Sequence, residues 1–195
     1  MPDLWSSSSA ADWRRALRAY EEVIGAQGVE SLPELDSWYR TELPAAIASR
    51  AERHVTHEEL VHITRWKMAR GVWRARNLVL VRGNDPAVVL DTSRAAIAKV
   101  PHPTAPISGL AQLAGVGPAT ASAVMAAAEP GIYPFLDELI AAQVPGLGEV
   151  AYTMKYYGLY ADALRDRARE VGGEWTAVDV ERALWATAGG KAGVG

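Results

Sequence analysis

Apolar residues recur along this chain at the spacing of helices. Between residues 10 and 24, Trp13, Leu17, Tyr20 and Ile24 fall three and four positions apart, which predicts one amphipathic helix ending near Gly25 or Gly28. Residues 33–51 predict two short helices interrupted at Pro44, because a proline inside a helix lacks an amide donor and collides with the preceding turn. Thr56 with Glu59 has the form of a capping box, and Leu60, Ile63 and Trp66 then mark a helix running toward Gly71. Residues 72–81, apolar and basic by turns, predict a continuation of helix. Asp85 followed by Pro86 is a cap with proline at the first helical position, opening a helix that reaches about Lys99. Further helices are expected over 108–114, 118–128, 136–143, 152–171 and 176–188, the last with a second capping box in Thr176 and Asp179. No stretch sustains period-two alternation and no repeat is visible. The expectation is therefore an all-α chain: a flexible tail at 1–9, a helical domain at 10–188 built as one body or two small lobes, and a flexible tail at 189–195.

One segment breaks the mixture of polar and apolar positions: residues 100–128 contain no Asp, Glu, Lys or Arg. Pro101, Pro103, Pro106, Gly109, Gly115, Gly117 and Pro118 interrupt it, which excludes a continuous membrane-spanning helix. The absence of cysteine excludes a disulfide scaffold, a thiolate zinc site and a cysteine-ligated iron-sulfur cluster. His54, His57, His62 and His102 have no metal-ligand spacing, so no metal is assigned to side chains. The amino-terminal residues lack the basic-then-apolar pattern of a secretory signal, and a cytoplasmic protein without membrane association is expected. The net charge of -3 conceals an asymmetry. Residues 1–60 carry 11 acids against 6 arginines, whereas Arg65, Lys67, Arg70, Arg74, Arg76 and Arg82 occupy 65–82 with no acid among them. Such a run neutralises phosphates, or else forms a solvated face or pairs with the acidic amino-terminal third.

Within the uncharged segment lies Leu113-Ala114-Gly115-Val116-Gly117-Pro118-Ala119-Thr120-Ala121. Its two glycines permit positive φ and close backbone approach, and Pro118 suits the first turn of a following helix. The unpaired amides and partial positive charge at that helix start can hold a phosphate without any basic side chain. The plainer reading of the same residues is a turn between two packed helices.

This hairpin, with its flanking helices at 108–128, resembles the helix-hairpin-helix motif of DNA glycosylases of the endonuclease III superfamily, a motif shared with ligases, polymerases and recombination proteins. In those glycosylases an aspartate lies eighteen residues after the position that holds lysine in the bifunctional members. Here that position is Ala119, and Asp137 stands eighteen residues further on (137 − 119). The resemblance covers residues 113–137; after Asp137 the chain departs from it, with Glu138, Leu139 and Ile140 where the family often has threonine and histidine. The resemblance implies a glycosylase-like helical fold and, as partner, double-stranded DNA with a damaged or modified base. It further implies DNA contacts from Gly115, Val116, Gly117, Ala119 and Thr120, Asp137 as the catalytic carboxylate, no redox or zinc cofactor, and a structural monovalent cation held by hairpin carbonyls.

The chemistry agrees with that assignment. Breaking an N-glycosidic bond builds positive charge on the deoxyribose, so a carboxylate held beneath the sugar stabilises the transition state and can orient the attacking water. Asp137 is the carboxylate proposed; its other reading is the N-cap of a helix from Glu138. Ala119 cannot form a Schiff base, which predicts base removal without strand cleavage. Lys67 and Lys155 are the remaining lysines in well-structured segments, and Lys67 reads most simply as a cation near a helix C-terminus. A flipped base needs aromatic walls. Trp38, Trp66, Trp73, Tyr133 and Tyr152 are available, each otherwise a core residue at helical spacing. Trp66 and Lys67 on the basic helix, and Tyr133 just before Asp137, are placed in the base pocket, while Arg70, Arg74 and Arg76 are placed on phosphates. The resulting expectation is a monofunctional DNA glycosylase acting in repair or in defence against phage with modified DNA. The alternatives are a non-catalytic DNA-binding protein and a helical interaction protein whose glycines only turn the chain.

Overall fold

In the computed structural model, which describes residues 3–194, every regular element is helical, and the chain is all-α as its periodicity predicts. Local signals place most of the helix starts. Ser9 caps α1 (Ala10–Arg18) by accepting from the Asp12 amide, and Asp85 caps α7 (Pro86–Ile97) by accepting from the amides of Ala87 and Val88; between them run α2 (Tyr20–Gly25), α3 (Leu32–Arg40), α4 (Glu42–Ser49), α5 (His57–Arg70) and α6 (Ala75–Arg82). Both capping boxes are formed, Thr56 with Glu59 at α5 and Thr176 with Asp179 at α12 (Ala177–Thr187). The remaining helices are α8 (Ala105–Leu110), α9 (Pro118–Ala128), α10 (Glu138–Ala141) and α11 (Met154–Val171).

Four boundaries differ from the sequence reading; one is the helix expected over 108–114, which lies at Ala105–Leu110 with Pro106 in its first turn. The single helix expected over 10–24 is split at Ala19, so that Trp13 on α1 and Tyr20 and Ile24 on α2 are all buried. Pro44 does not break a helix but lies in the first turn of α4, where its missing amide is one of the donors left unpaired anyway; the interruption falls at Thr41. The helix expected to continue through 72–81 instead ends at Gly71, leaves residues 71–74 exposed, and restarts at Ala75.

The uncharged segment becomes the centre of the molecule. Ala119 through Ala127 are all buried, so α9 is apolar around its whole circumference because α4, α5 and α8 pack around it. The Tyr39 hydroxyl on α3 donates to the Ala123 carbonyl, satisfying a buried acceptor there. No helix is long and apolar enough to cross a membrane among the described residues. Helices α1, α2 and α11 pack on α12, while α5 joins α3 to α6, α7 and α9; one cluster of buried side chains runs continuously from Leu4 to Ala186.

Of the segments expected as flexible tails, the described residues 3–7 and 189–192 are held in place; residues 1, 2 and 195 lie outside the described residues. Leu4 is buried in a 3-10 turn at Leu4–Ser6, the Trp13 indole donates to the Ser7 carbonyl, and the Arg167 guanidinium sits 4.7 Å from the Trp5 ring centre. At the other end Gln27 donates to the Gly189 carbonyl and accepts from the Ala192 amide, and Lys191 pairs with Glu138. Apolar contact and hydrogen bonding thus hold both segments against the helices.

Candidate functional site

A cleft of about 320 Å³ opens where α5, the hairpin, the start of α10 and the carboxyl-terminal segment meet. Its walls include Lys67, Arg74, Gly117, Thr120, Asp137 and Tyr152. A second cavity of about 440 Å³ between the amino-terminal turn, α1 and the end of α12 holds none of the predicted site residues.

The hairpin's two glycines do different work. Gly115 has φ +75°, and a β-carbon there would stand 2.7 Å from the Asn77 carbonyl oxygen and 2.8 Å from the Leu80 β-carbon. Its close approach is therefore to α6 inside the molecule. Gly117 is extended, borders the cleft, and a β-carbon would meet nothing within 4 Å. The backbone at the start of α9 is bare on that side, with no side chain capping the helix. Val116 is buried, and Ala119 and Thr120 border the cleft while being largely covered. For a cation the hairpin offers backbone carbonyls: those of Leu113 and Gly117 each accept one amide, from Val116 and Ala121, and keep a second lone pair.

Asp137 is positioned by a loop fastened at nearly every residue. The Arg165 guanidinium donates to the Ile132 carbonyl, Tyr157 to that of Pro134 and Tyr160 to that of Phe135, and the Leu136 amide donates to the Ser122 hydroxyl on α9. Ser122 ties the loop to the hairpin helix itself. At the end of this loop Asp137 Oδ1 accepts from the Leu139 amide at 2.8 Å, so the N-cap reading is correct for one oxygen. Oδ2 lies 3.8 Å from Arg70 Nε. Asp137 is 8% exposed and borders the cleft. Burial pushes its carboxyl above the ordinary range; the Arg70 charge and the Leu139 amide work against that rise.

Beneath Asp137 runs a buried chain of charges. Arg70 donates to Glu181 at 2.5 Å and lies 4.6 Å from the Trp185 ring centre. Glu181 faces Arg40 at 3.6 Å, and Arg40 continues to Asp36 at 3.7 Å. Tyr20 and Trp66 both donate to the Asp36 carboxylate. Three predicted roles fail on this geometry. Arg70 is 1% exposed and cannot reach a phosphate; it is an internal counter-charge for Glu181 and Asp137. Trp66 is fully buried, stacked on Tyr39 with ring centres 3.6 Å apart, and forms no wall of the cleft. Tyr133 is also fully buried, its hydroxyl spent on the His102 carbonyl.

Lys67 does border the cleft, and burial followed by the nearby Arg74 charge lowers its amine below the ordinary lysine range, with Asp137 opposing. The aromatic wall comes from Tyr152, 51% exposed, and from the buried edge of Phe135. Between the cleft-lining residues Val72 and Arg74, Trp73 is 57% exposed among the exposed residues 71–76. Arg74 and Arg76 flank it; unlike Arg50, Arg94 and Arg169, which hold neighbouring carboxylates, neither is in an ion pair among the described residues. Sequence reasoning offers Tyr152 as one of five aromatics without placing it in the pocket and passes over Lys191 and Asn77; all three enter the cleft from segments far apart in the chain. Trp73 had a usable signal, since it follows Gly71 and lies outside the apolar stripe of α5.

Comparison of the chain with protein-family models, with curated proteins and with solved structures finds no match.

Proposed function

We propose that the protein is a DNA glycosylase that draws one modified or damaged nucleotide out of a duplex into the cleft and hydrolyses its N-glycosidic bond. The observation that carries this reading is the juxtaposition at one cleft of the uncapped start of α9 and a nearly buried carboxylate, Asp137, on a loop tied to α9 through Ser122. The first supplies a place for a phosphate next to the target nucleotide, and the second a charge for the sugar.

The division of labour follows from chemistry. The amides of Gly117, Ala119 and Thr120 receive a backbone phosphate, and Arg74 on the cleft wall adds charge, with Arg76 two residues further along the chain. A monovalent cation on the hairpin carbonyls, as the family resemblance implies, would add positive charge there. Trp73, exposed between two cleft-lining residues, is available to the duplex, and Tyr152 offers a ring against which the extruded base stacks. Asp137 Oδ2, free of the capping bond, stabilises the oxocarbenium-like sugar and orients water, while Oδ1 stays on the Leu139 amide. Ala119 presents a methyl group and no amine from the hairpin helix, so the base is displaced by water and the product of that step is an abasic site.

The test is incubation with duplexes carrying single alkylated or oxidised bases and with phage DNA bearing natural base modifications, followed by alkaline cleavage of abasic sites. Product that disappears in Asp137→Asn supports the reading. Activity unchanged in that variant overturns the role of Asp137. Salt-dependent duplex binding with no product on any substrate favours the non-catalytic DNA-binding protein.

A further inference from the structure

The last turn of α5 brings two cations to Asp137, three residues apart and hence on adjoining positions of one helix face. Arg70 lies below it, buried and committed to Glu181. Lys67 lies one turn earlier, where the helix meets the cleft, and holds no carboxylate at ion-pair distance among the described residues. We propose that Lys67 supplies the amine that position 119 lacks, giving the protein an abasic-site lyase activity through a Schiff base formed from α5 instead of from the hairpin helix. This inference rests on the cleft being the sugar-binding site proposed above.

Three features of the site favour that chemistry. Lys67 and Asp137 line the same cleft, and Lys67 lies about one helical turn before Arg70, whose Nε is 3.8 Å from the Asp137 carboxylate. Burial and Arg74 both favour the neutral amine, which is the nucleophilic form, while Asp137 only partly opposes them. Asp137, itself raised by burial, is suited to accept a proton. In the reaction the neutral Nζ adds to the C1′ aldehyde of the ring-opened sugar, and water leaves to form the iminium. Asp137 removes a C2′ proton; the electron pair forms the C2′–C3′ double bond and breaks C3′–O3′, releasing the 3′ fragment with a 5′-phosphate. Water then hydrolyses the iminium, restoring the amine and freeing the unsaturated aldehyde. The water lost and the proton taken up in forming the iminium are regained and released on its hydrolysis, Asp137 passes the C2′ proton to solvent, and no oxidant or reductant is consumed.

The experiment supplies a preformed abasic site, so it does not depend on recognition of any base. The full chain is mixed with an abasic duplex in sodium borohydride, which reduces an iminium to a stable amine, and covalent protein–DNA adduct is read on a denaturing gel and mapped by mass spectrometry. Adduct at Lys67 that falls at least tenfold in both Lys67→Met and Lys67→Arg is the expected result, with thermal melting showing that both variants fold. Lys67→Arg keeps the charge but forms no reducible imine, which separates nucleophile from phosphate contact. Absence of adduct in the parent chain, or adduct that persists in Lys67→Arg, overturns the proposal. Adduct formation without base release from any modified duplex leaves the lyase standing and removes the glycosylase reading.

Discussion

Asp137 carries two roles on two oxygens, and substitutions separate them. Asparagine keeps an acceptor for the Leu139 amide, so Asp137→Asn preserves the cap, whereas Asp137→Ala loses it at a cost of about 1 kcal/mol. Both should lower base excision by at least about 100-fold, the scale of losing one preorganised electrostatic group. The carboxyl's raised pKa adds a sign to the stability comparison. A group raised on folding contributes stability that is fully present below the ordinary aspartate value and is lost as pH rises through the raised one. Thermal melts should therefore show Asp137→Asn gaining on the parent chain between mildly acidic and neutral pH, and a fixed difference across that window would contradict the burial argument. Excision requires the ionised form, so its acid limb should lie above the range of an ordinary aspartate. At this scale the sequence is informative where spacing alone decides, as for Asp137, and misleading where burial decides. Arg70 illustrates the point: Ile63, Trp66 and Arg70 follow one another at three and four residues, which places the arginine on the core face of α5, but only the presence of Glu181 on α12 makes that placement tolerable.

Among the elements, the hairpin permits a clean comparison, because its glycines are constrained from opposite sides. Gly115→Ala combines a positive φ with a β-carbon pressed on the backbone of α6, and should destabilise by about 3 kcal/mol. For a chain of this size that corresponds to a melting temperature lower by roughly 10 °C. Gly117→Asp meets open space at a position where aspartate is a good N-cap, so stability should stay within about 0.5 kcal/mol of the parent. Its carboxylate would occupy the place of the phosphate, and duplex binding measured by fluorescence anisotropy should disappear. Retained binding in a folded Gly117→Asp protein would leave the hairpin as a turn between packed helices. Helix starts are largely legible because caps act within four residues, as at Thr56, Asp85 and Thr176. The breaks at Ala19 and Thr41 carry no proline or glycine at the junction; they arise from the demand that Tyr20, Tyr39 and Leu43 all face one core.

For the molecule as a whole, the charge asymmetry seen in the sequence resolves into two populations. Acids and arginines from α3, α5 and α12 neutralise one another inside the fold, through Asp36, Arg40, Arg70 and Glu181. Arg74 and Arg76 remain outside, unpaired among the described residues and beside the only exposed tryptophan there. The basic run 65–82 thus divides at Gly71, where α5 ends, and a linear count of charges cannot find that division. It predicts opposite phenotypes for neighbouring arginines. Arg74→Ala and Arg76→Ala should each reduce the slope of log binding constant against log salt by about 0.9 if each neutralises one phosphate, with melting temperature nearly unchanged. Arg70→Met removes the closest partner of a fully buried Glu181 and should cost about 3 kcal/mol or more in stability. Measured at a temperature where it is still folded, it should keep the parent salt slope, because its charge is neutralised before DNA arrives. A slope reduced by Arg70→Met as much as by Arg74→Ala would mean that the α5 end opens on binding and that the buried chain of charges is part of the DNA surface.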